Sequence, residues 1–225
     1  MIRFDQVSKR YPGGKMGLDA LSFEVDAHEM VFVTGHSGAG KSTLLKLIAV
    51  MERPSAGAVL YAGINLGKLS RRRVPALRRR LGIVFQDHRL LMDRTLYDNV
   101  ALPLQIIGAR PQDMRRSINS VLDRVGLLDR SKALPSQLST GEQQRVGIAR
   151  AMVSKPELLL ADEPTGNLDP QLSGEILSLL ADFNADGTCV LVASHDLLLI
   201  KRMRKRVLVL QEGKMLDDFR PEQAQ

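Results

Sequence analysis

The chain contains no tryptophan, and only 4% of its 225 residues are aromatic. A nucleic-acid surface built from stacked bases is therefore poorly supplied. There is one cysteine, Cys189, so no disulfide can form within the chain and a reducing compartment is the natural reading. Cys189 lies in the apolar run Thr188–Ala193, where a free thiol packs as a small hydrophobe rather than serving as a nucleophile. No apolar stretch approaches the ~18 residues that cross a bilayer. The longest, near Val190–Ile200, is broken by Ser194, His195 and Asp196. The opening residues, MIRFDQVSKR, hold no apolar h-region, so no secretory leader is expected. No repeat or low-complexity segment is evident.

What is present fits a globular domain. Hydrophobic residues make up 44% of the chain and charged residues 25%, and the length supports a substantial core. The formal net charge is +7. Basic residues cluster at Arg71–Arg73, Arg78–Arg80 and Lys201–Arg206. Three readings of these clusters stand open: solvated helix and loop faces, an anionic membrane surface, or nucleic acid.

The opening third reads as β-structure. Ile2, Phe4 and Val7 precede a loop with Pro12, Gly13 and Gly14, and Leu21, Phe23 and Val25 alternate with polar residues as in a half-buried strand. Val31–Val33 is a short continuous apolar run, as in parallel strands buried on both faces. Ser42–Val50 reads as a helix, and Val59–Tyr61 and Ile83–Phe85 as strands. From about Asp87 to Lys155 helical patterns dominate, including Pro111–Val125 and the segment after Ser139. Strand signals return at Leu158–Ala161, Val190–Ala193 and Val207–Leu210, with Leu172, Ile176, Leu179 and Phe183 at helical spacing behind Pro170. A hairpin turning at Glu212–Gly213 closes the pattern. The expected class is α/β, a mostly parallel sheet interrupted by a helical insertion.

Gly35-His36-Ser37-Gly38-Ala39-Gly40-Lys41-Ser42 matches G-x-x-x-x-G-K-[ST], with a strand before it and a helix after it. Glycines let backbone N–H groups curl around phosphate oxygens, and the helix adds its positive end. Lys41 is expected to reach the β- and γ-phosphates, and the Ser42 hydroxyl to ligate Mg²⁺. Leu158–Ala161 delivers Asp162 and Glu163 to the carboxyl end of a buried strand, where ligands bind in such sheets. Asp162 is expected to hold Mg²⁺ and Glu163 to deprotonate the attacking water. Gln86 and His195 also follow predicted strands, placing a metal or water contact and a γ-phosphate contact at the same sheet edge. Ser139-x-x-Glu142 fits a capping box, so Ser139 is expected to start a helix whose N-terminus, with the Gly141 N–H, forms a second anion site.

Leu138-Ser139-Thr140-Gly141-Glu142-Gln143 resembles the LSGGQ signature of ATP-binding-cassette ATPases. The likeness extends along the chain in order: Tyr11 as the aromatic that stacks on adenine, Gly35–Thr43 as Walker A, Gln86 as the Q-loop, Leu158–Glu163 as Walker B, Asn167–Asp169 as the D-loop and His195 as the switch histidine. The resemblance implies a P-loop NTPase fold. Its parts are a RecA-like core, an N-terminal antiparallel β subdomain and an α-helical signature subdomain, with residues 1–86 and 156–225 in the catalytic lobe and 87–155 in the helical one. It also implies a Mg²⁺-dependent ATPase that pairs head to tail when ATP is bound. Each signature, through Ser139 and Gly141, would then face the γ-phosphate held by the other chain, and Asp169 would meet the partner.

Two positions depart from the family's pattern. Thr140 stands at a usual glycine, and Ala27-His28-Glu29 replaces a frequent P-G-E turn. The chain lacks the coiled coils, zinc hooks, second cassette or fused membrane region of other branches, so a separate integral membrane subunit is the implied partner and no specific nucleic acid is expected. Gly35–Ile48, Glu52–Gly57 and above all Phe85–Val100 are similar to the family's bacterial cell-division branch. That implies a peripheral place on the cytoplasmic face of the inner membrane, at the division septum. QRVGIARA and ADEPTGNLD are shared with lipoprotein-release and macrolide-efflux cassettes, which remain the alternative.

Overall fold

The computed structural model describes residues 1–221. A four-stranded antiparallel sheet has the order β2-β1-β4-β5, from Met16–Val25 (β2), Ile2–Arg10 (β1), Ala56–Tyr61 (β4) and Ile64–Asn65 (β5). A six-stranded sheet has the order β10-β9-β3-β8-β7-β6, from Lys214–Phe219, Arg206–Gln211, Met30–Thr34, Cys189–Ala193, Leu158–Asp162 and Leu81–Val84. All its neighbours are parallel except the β9–β10 hairpin. That hairpin turns on Glu212 (φ 50°) and Gly213 (φ 82°), two left-handed residues as a tight two-residue turn requires.

The central strands explain their own apolar runs. Along β3, β7 and β8, successive side chains enter two cores on opposite faces of the sheet. Phe32, Leu159 and Val192 join the helical side, and Val31, Leu160 and Leu191 face the antiparallel sheet. A strand covered on both faces has no position for a polar residue until it ends. Its ends are therefore where the polar chemistry begins.

Seven α-helices complete the described residues: Lys41–Ile48 (α1), Val74–Arg78 (α2), Leu96–Ile106 (α3), Pro111–Arg124 (α4), Thr140–Met152 (α5), Pro170–Ala185 (α6) and Leu197–Met203 (α7). Helices α3, α4 and α5 share one apolar cluster through Val100, Leu104, Ile118, Leu122 and Ile148. Helix α3 lies in the stretch expected to be helical, although its bounds are not marked in the sequence pattern. Pro103 interrupts its helical signature, and its start rests on a cap in which the Thr95 hydroxyl accepts from the Asp98 N–H at 3.1 Å. The strand expected at Ile83–Phe85 starts two residues earlier and ends one earlier, because β6 pairs Leu81–Val84 with Leu158–Ala161. Cys189 is buried, and desolvation first of all pushes its thiol up to about 12.

Candidate active site

The phosphate-type loop leaves β3 at Gly35, whose φ is 148°. A Cβ there would lie 2.2 Å from the Leu210 carbonyl oxygen, so only glycine passes between the loop and β9. Gly40 (φ 111°) caps α1, and a Cβ there would come within 2.7 Å of the Gly17 carbonyl oxygen. The β9–β10 hairpin tip supports the loop from below: the Gly213 N–H donates to Ala39 O at 3.0 Å, and the Asp19 N–H donates to Gly213 O at 2.9 Å. Lys41 is buried, and its Nζ donates to Gly35 O at 2.7 Å and His36 O at 3.2 Å.

At the end of β7, Asp162 Oδ1 accepts from the Ser42 hydroxyl at 3.0 Å. Burial raises the Asp162 pKa; the Ser42 hydrogen bond opposes this and the neighbouring Glu163 charge adds to it. A cation beside these two oxygens would offset that cost, so the donor set fits Mg²⁺. Glu163 follows in a left-handed backbone conformation (φ 48°), held by its N–H donating to Ala193 O at 2.9 Å. The conformation is uncommon for a non-glycine residue, and it turns the side chain into the site. Its Oε1 lies 3.5 Å from Lys41 Nζ and its Oε2 is 2.8 Å from His195 Nδ1. One mostly buried carboxylate thus bridges the loop lysine and the residue after β8.

A cleft of ≈ 720 Å³ is lined by Tyr11, residues 36–43, Gln86, Glu163 and His195. Ser42 and Gln86 also line an adjoining cavity of ≈ 470 Å³, together with Asp162. At the mouth, the Tyr11 and Thr43 hydroxyl oxygens are 3.2 Å apart. The Tyr11 ring closes over Gly17, where a Cβ would stand 2.8 Å from it. The motifs at residues 11, 35–43, 86, 162–163 and 195, distant in sequence, converge on one sheet edge.

Ser139, Gly141 and Asp169 line neither cavity. Ser139 is the N-cap of α5. Its hydroxyl accepts from the Glu142 N–H at 3.3 Å, while Glu142 Oε2 accepts from the Ser139 N–H at 2.8 Å, completing the capping box. Gly141 is buried, and a Cβ there would meet the Leu172 side chain at 3.1 Å. Its glycine therefore has a packing reason inside this chain, while Thr140 is exposed. Asp169 caps α6, its Oδ1 accepting from the Gln171 and Leu172 N–H groups at 2.9 and 3.0 Å. Leu172 thus ties the segment after Asp169 to the start of α5. The N-terminal end of α5 thus lies outside the chain's own cleft.

Residues 18–166 match the family described as ABC transporter. The chain belongs to the ABC transporter family. Curated relatives include the cell division ATP-binding protein FtsE of Escherichia coli K12, 59% identical over 95% of this chain and 96% of the relative. FtsE of Haemophilus influenzae is 52% identical over 95% and 98% of the two chains, and FtsE of Bacillus subtilis 41% over 97% and 96%. Among solved structures, the dimeric ATP-binding cassette MJ0796 bound to ADP and Pi superposes with a TM-score of 0.89, 32% identity and 100% coverage of both chains. CbiO1 of Clostridium perfringens gives 0.91 and 28% identity over 98% of this chain and 88% of its own. As in the family, the chain is an ATPase built on the P-loop α/β fold.

Several residues of this ABC ATPase site escape sequence reasoning. Gly17 belongs to no motif, and Gly213 is legible only as a hairpin residue; Gly17 also lets the Tyr11 ring come close, and Gly213 also supports the P-loop. Beyond Gln86, His88 (φ 54°) and Arg89 (φ 48°) are consecutive left-handed residues, and Arg150 of α5 donates to both their carbonyls, at 2.6 and 2.7 Å. His88 Nδ1 also bonds Gln144 Oε1. QRVGIARA is a family phrase, but nothing in it announces that Arg150 clamps the loop after Gln86.

Proposed function

We propose that the chain is the ATP-hydrolysing subunit of an FtsEX-like complex, in which ATP-driven pairing of two copies moves the membrane subunit FtsX and so controls septal cell-wall hydrolysis. The observation that carries the enzymatic part is the Glu163 carboxylate held between Lys41 and His195 in the cleft. Glu163 serves as general base toward the attacking water, with His195 and Gln86 orienting the γ-phosphate and that water. Residues 35–43 cradle the phosphates, Lys41 neutralises them, and Tyr11 takes the adenine ring. Ser42, Asp162 and Gln86 would hold Mg²⁺, which when bound supplies positive charge at the phosphate oxygens. Ser139 and Gly141 of one copy complete the site of the other, and Asp169 sits at that contact. The unused helix end at Ser139 and the dimeric MJ0796 neighbour support this pairing. The working division is a catalytic lobe of residues 1–86 and 156–225 and a signature lobe of 87–155.

The cell-division assignment rests on the three FtsE relatives, each matched along nearly its whole length. No helix of the described residues is long and apolar enough to cross a membrane, which agrees with a peripheral subunit docked on FtsX at the cytoplasmic face near the septum. No observation favours lipoprotein release, macrolide efflux or nucleic-acid work.

Glu163→Gln tests the chemistry. It should keep ATP affinity and lower turnover by about 10²–10⁴, measured by nucleotide titration and phosphate release. Turnover within a few-fold of wild type would remove Glu163 from its role. Affinity capture from membranes, with identification of the co-purified integral subunit, tests the FtsX assignment.

A further inference from the structure

The charge of this protein is not spread over its surface. Between Glu52 and Asp87 there is no acidic residue, and there are eight basic ones: Arg53, Lys68, Arg71–Arg73 and Arg78–Arg80. The rest of the chain holds 24 basic and 25 acidic residues, so this one segment carries the whole positive excess. It covers β4, β5, α2 and β6.

Three of the eight cations have structural employment. Arg53 donates to the Gly67 carbonyl at 2.5 Å, Arg78 to Ala49 O and Val50 O at 3.0 and 2.9 Å, and Arg80 pairs with Glu157 at 2.7 Å. The other five, Lys68, Arg71, Arg72, Arg73 and Arg79, form no ion pair among the described residues, and all five are exposed. Five unpaired like charges on one short stretch repel one another, and an anionic surface would relieve that repulsion.

We propose that Arg71–Arg73, with Lys68 and Arg79, form a surface that binds the anionic phospholipid headgroups of a bilayer. Two features select lipid over nucleic acid. The only aromatic ring between Ala62 and Gln86 is Phe85, and it is covered by the Arg89 guanidinium at 4.1 Å, so no base can stack there. Arg79 also lines a groove of ≈ 560 Å³ whose other wall is α3, and Ile106 and Ile107 at the end of that helix are 67% and 44% exposed. A cation such as Arg79 beside exposed aliphatic side chains matches a headgroup layer over an acyl boundary. The inference rests on the membrane-docked reading above, which would bring the chain to a bilayer surface. Lipid contact would then orient each cassette under its docking site.

The test uses the purified full chain, without any membrane subunit, and vesicles of phosphatidylglycerol mixed with phosphatidylcholine. The wild type should co-sediment with these at low salt, be released at high salt, and ignore vesicles of phosphatidylcholine alone. The triple variant Arg71→Gln/Arg72→Gln/Arg73→Gln should bind roughly a hundredfold more weakly, at about 1 kcal/mol per basic residue, with ATPase activity unchanged. Lys201→Gln/Arg202→Gln/Arg204→Gln removes the same charge elsewhere and should change binding less than about threefold if position rather than net charge decides. Equal losses in the two triples, binding to neutral vesicles, or duplex DNA bound in place of vesicles would each overturn the proposal. Failure of vesicle binding while the membrane subunit still co-purifies would discard the lipid surface and leave the complex intact.

Discussion

At the residue scale, the site is made by close approaches that tolerate one side chain each. Gly35 and Gly38 both lie in the P-loop, yet their surroundings differ. A Cβ at Gly35 would strike the Leu210 carbonyl at 2.2 Å, whereas nothing lies within 4 Å of one at Gly38. Gly35→Ala should therefore force β9 off the loop and unfold or severely destabilise the chain. Gly38→Ala should cost only the left-handed strain, about 1–2 kcal/mol, and act mainly on nucleotide affinity. Urea denaturation beside ATP titration separates the two; equal stability losses would contradict the packing described here.

At the element scale, α5 links two functions. Its N-terminus is the signature, and one face, Gln144–Gly147–Arg150, grips the loop after Gln86. His88 and Arg89 are both left-handed, a cost of about 1–2 kcal/mol each, and the Arg150 fork is what offsets it. Burial lowers the pKa of Arg150, and it remains a cation bonded to two carbonyls. Arg150→Ala should lower stability by about 1–2 kcal/mol, the loss of two charge-assisted hydrogen bonds to the loop carbonyls. It should also reduce kcat more than ATP affinity, because Gln86 loses its support. Arg150→Lys should fall between; an alanine variant with normal kcat would dissolve the link. The cap of α5 has its own pH signature. The Ser139 backbone N–H, and after it the Ser139 hydroxyl and Arg130, hold the Glu142 carboxyl below its ordinary value. A depressed acid stabilises the fold above its unfolded pKa, and that contribution is lost as pH falls through the lower folded one. The acid-unfolding profile of Glu142→Gln should therefore lose a component just below the ordinary glutamate range, read by circular dichroism against pH.

At the scale of the whole molecule, one chain supplies one cleft and one signature that do not meet. If each active site takes the P-loop of one copy and the signature of the other, two dead variants should rescue each other. Lys41→Ala and Ser139→Arg chains should each be nearly inactive alone. Mixed in equal amounts, up to about a quarter of wild-type turnover should return, since half the dimers are heterodimers and one of their two sites is intact. No recovery at any mixing ratio would argue for a site complete within one chain.

The sequence by itself determined the local facts. Apolar runs marked the buried strands, and a strand buried on both faces can place polar groups only where it ends. Asp162, Glu163, Gln86 and His195 were therefore legible as strand-end residues, and the structure brings them to two adjoining cavities. The P-loop glycines and the Ser139–Glu142 box were legible too, because both close over a few residues of backbone. Only the tertiary structure decided what depends on distant approach. It set Gly213 beneath the P-loop, Leu172 against Gly141, Arg150 on the loop after Gln86, and the start of α3 despite Pro103. It also set Arg79 in a groove across from Ile106 and Ile107. Such contacts join residues tens of positions apart, and no spacing along the chain encodes them; they exist only once the two cores have packed on either side of one sheet.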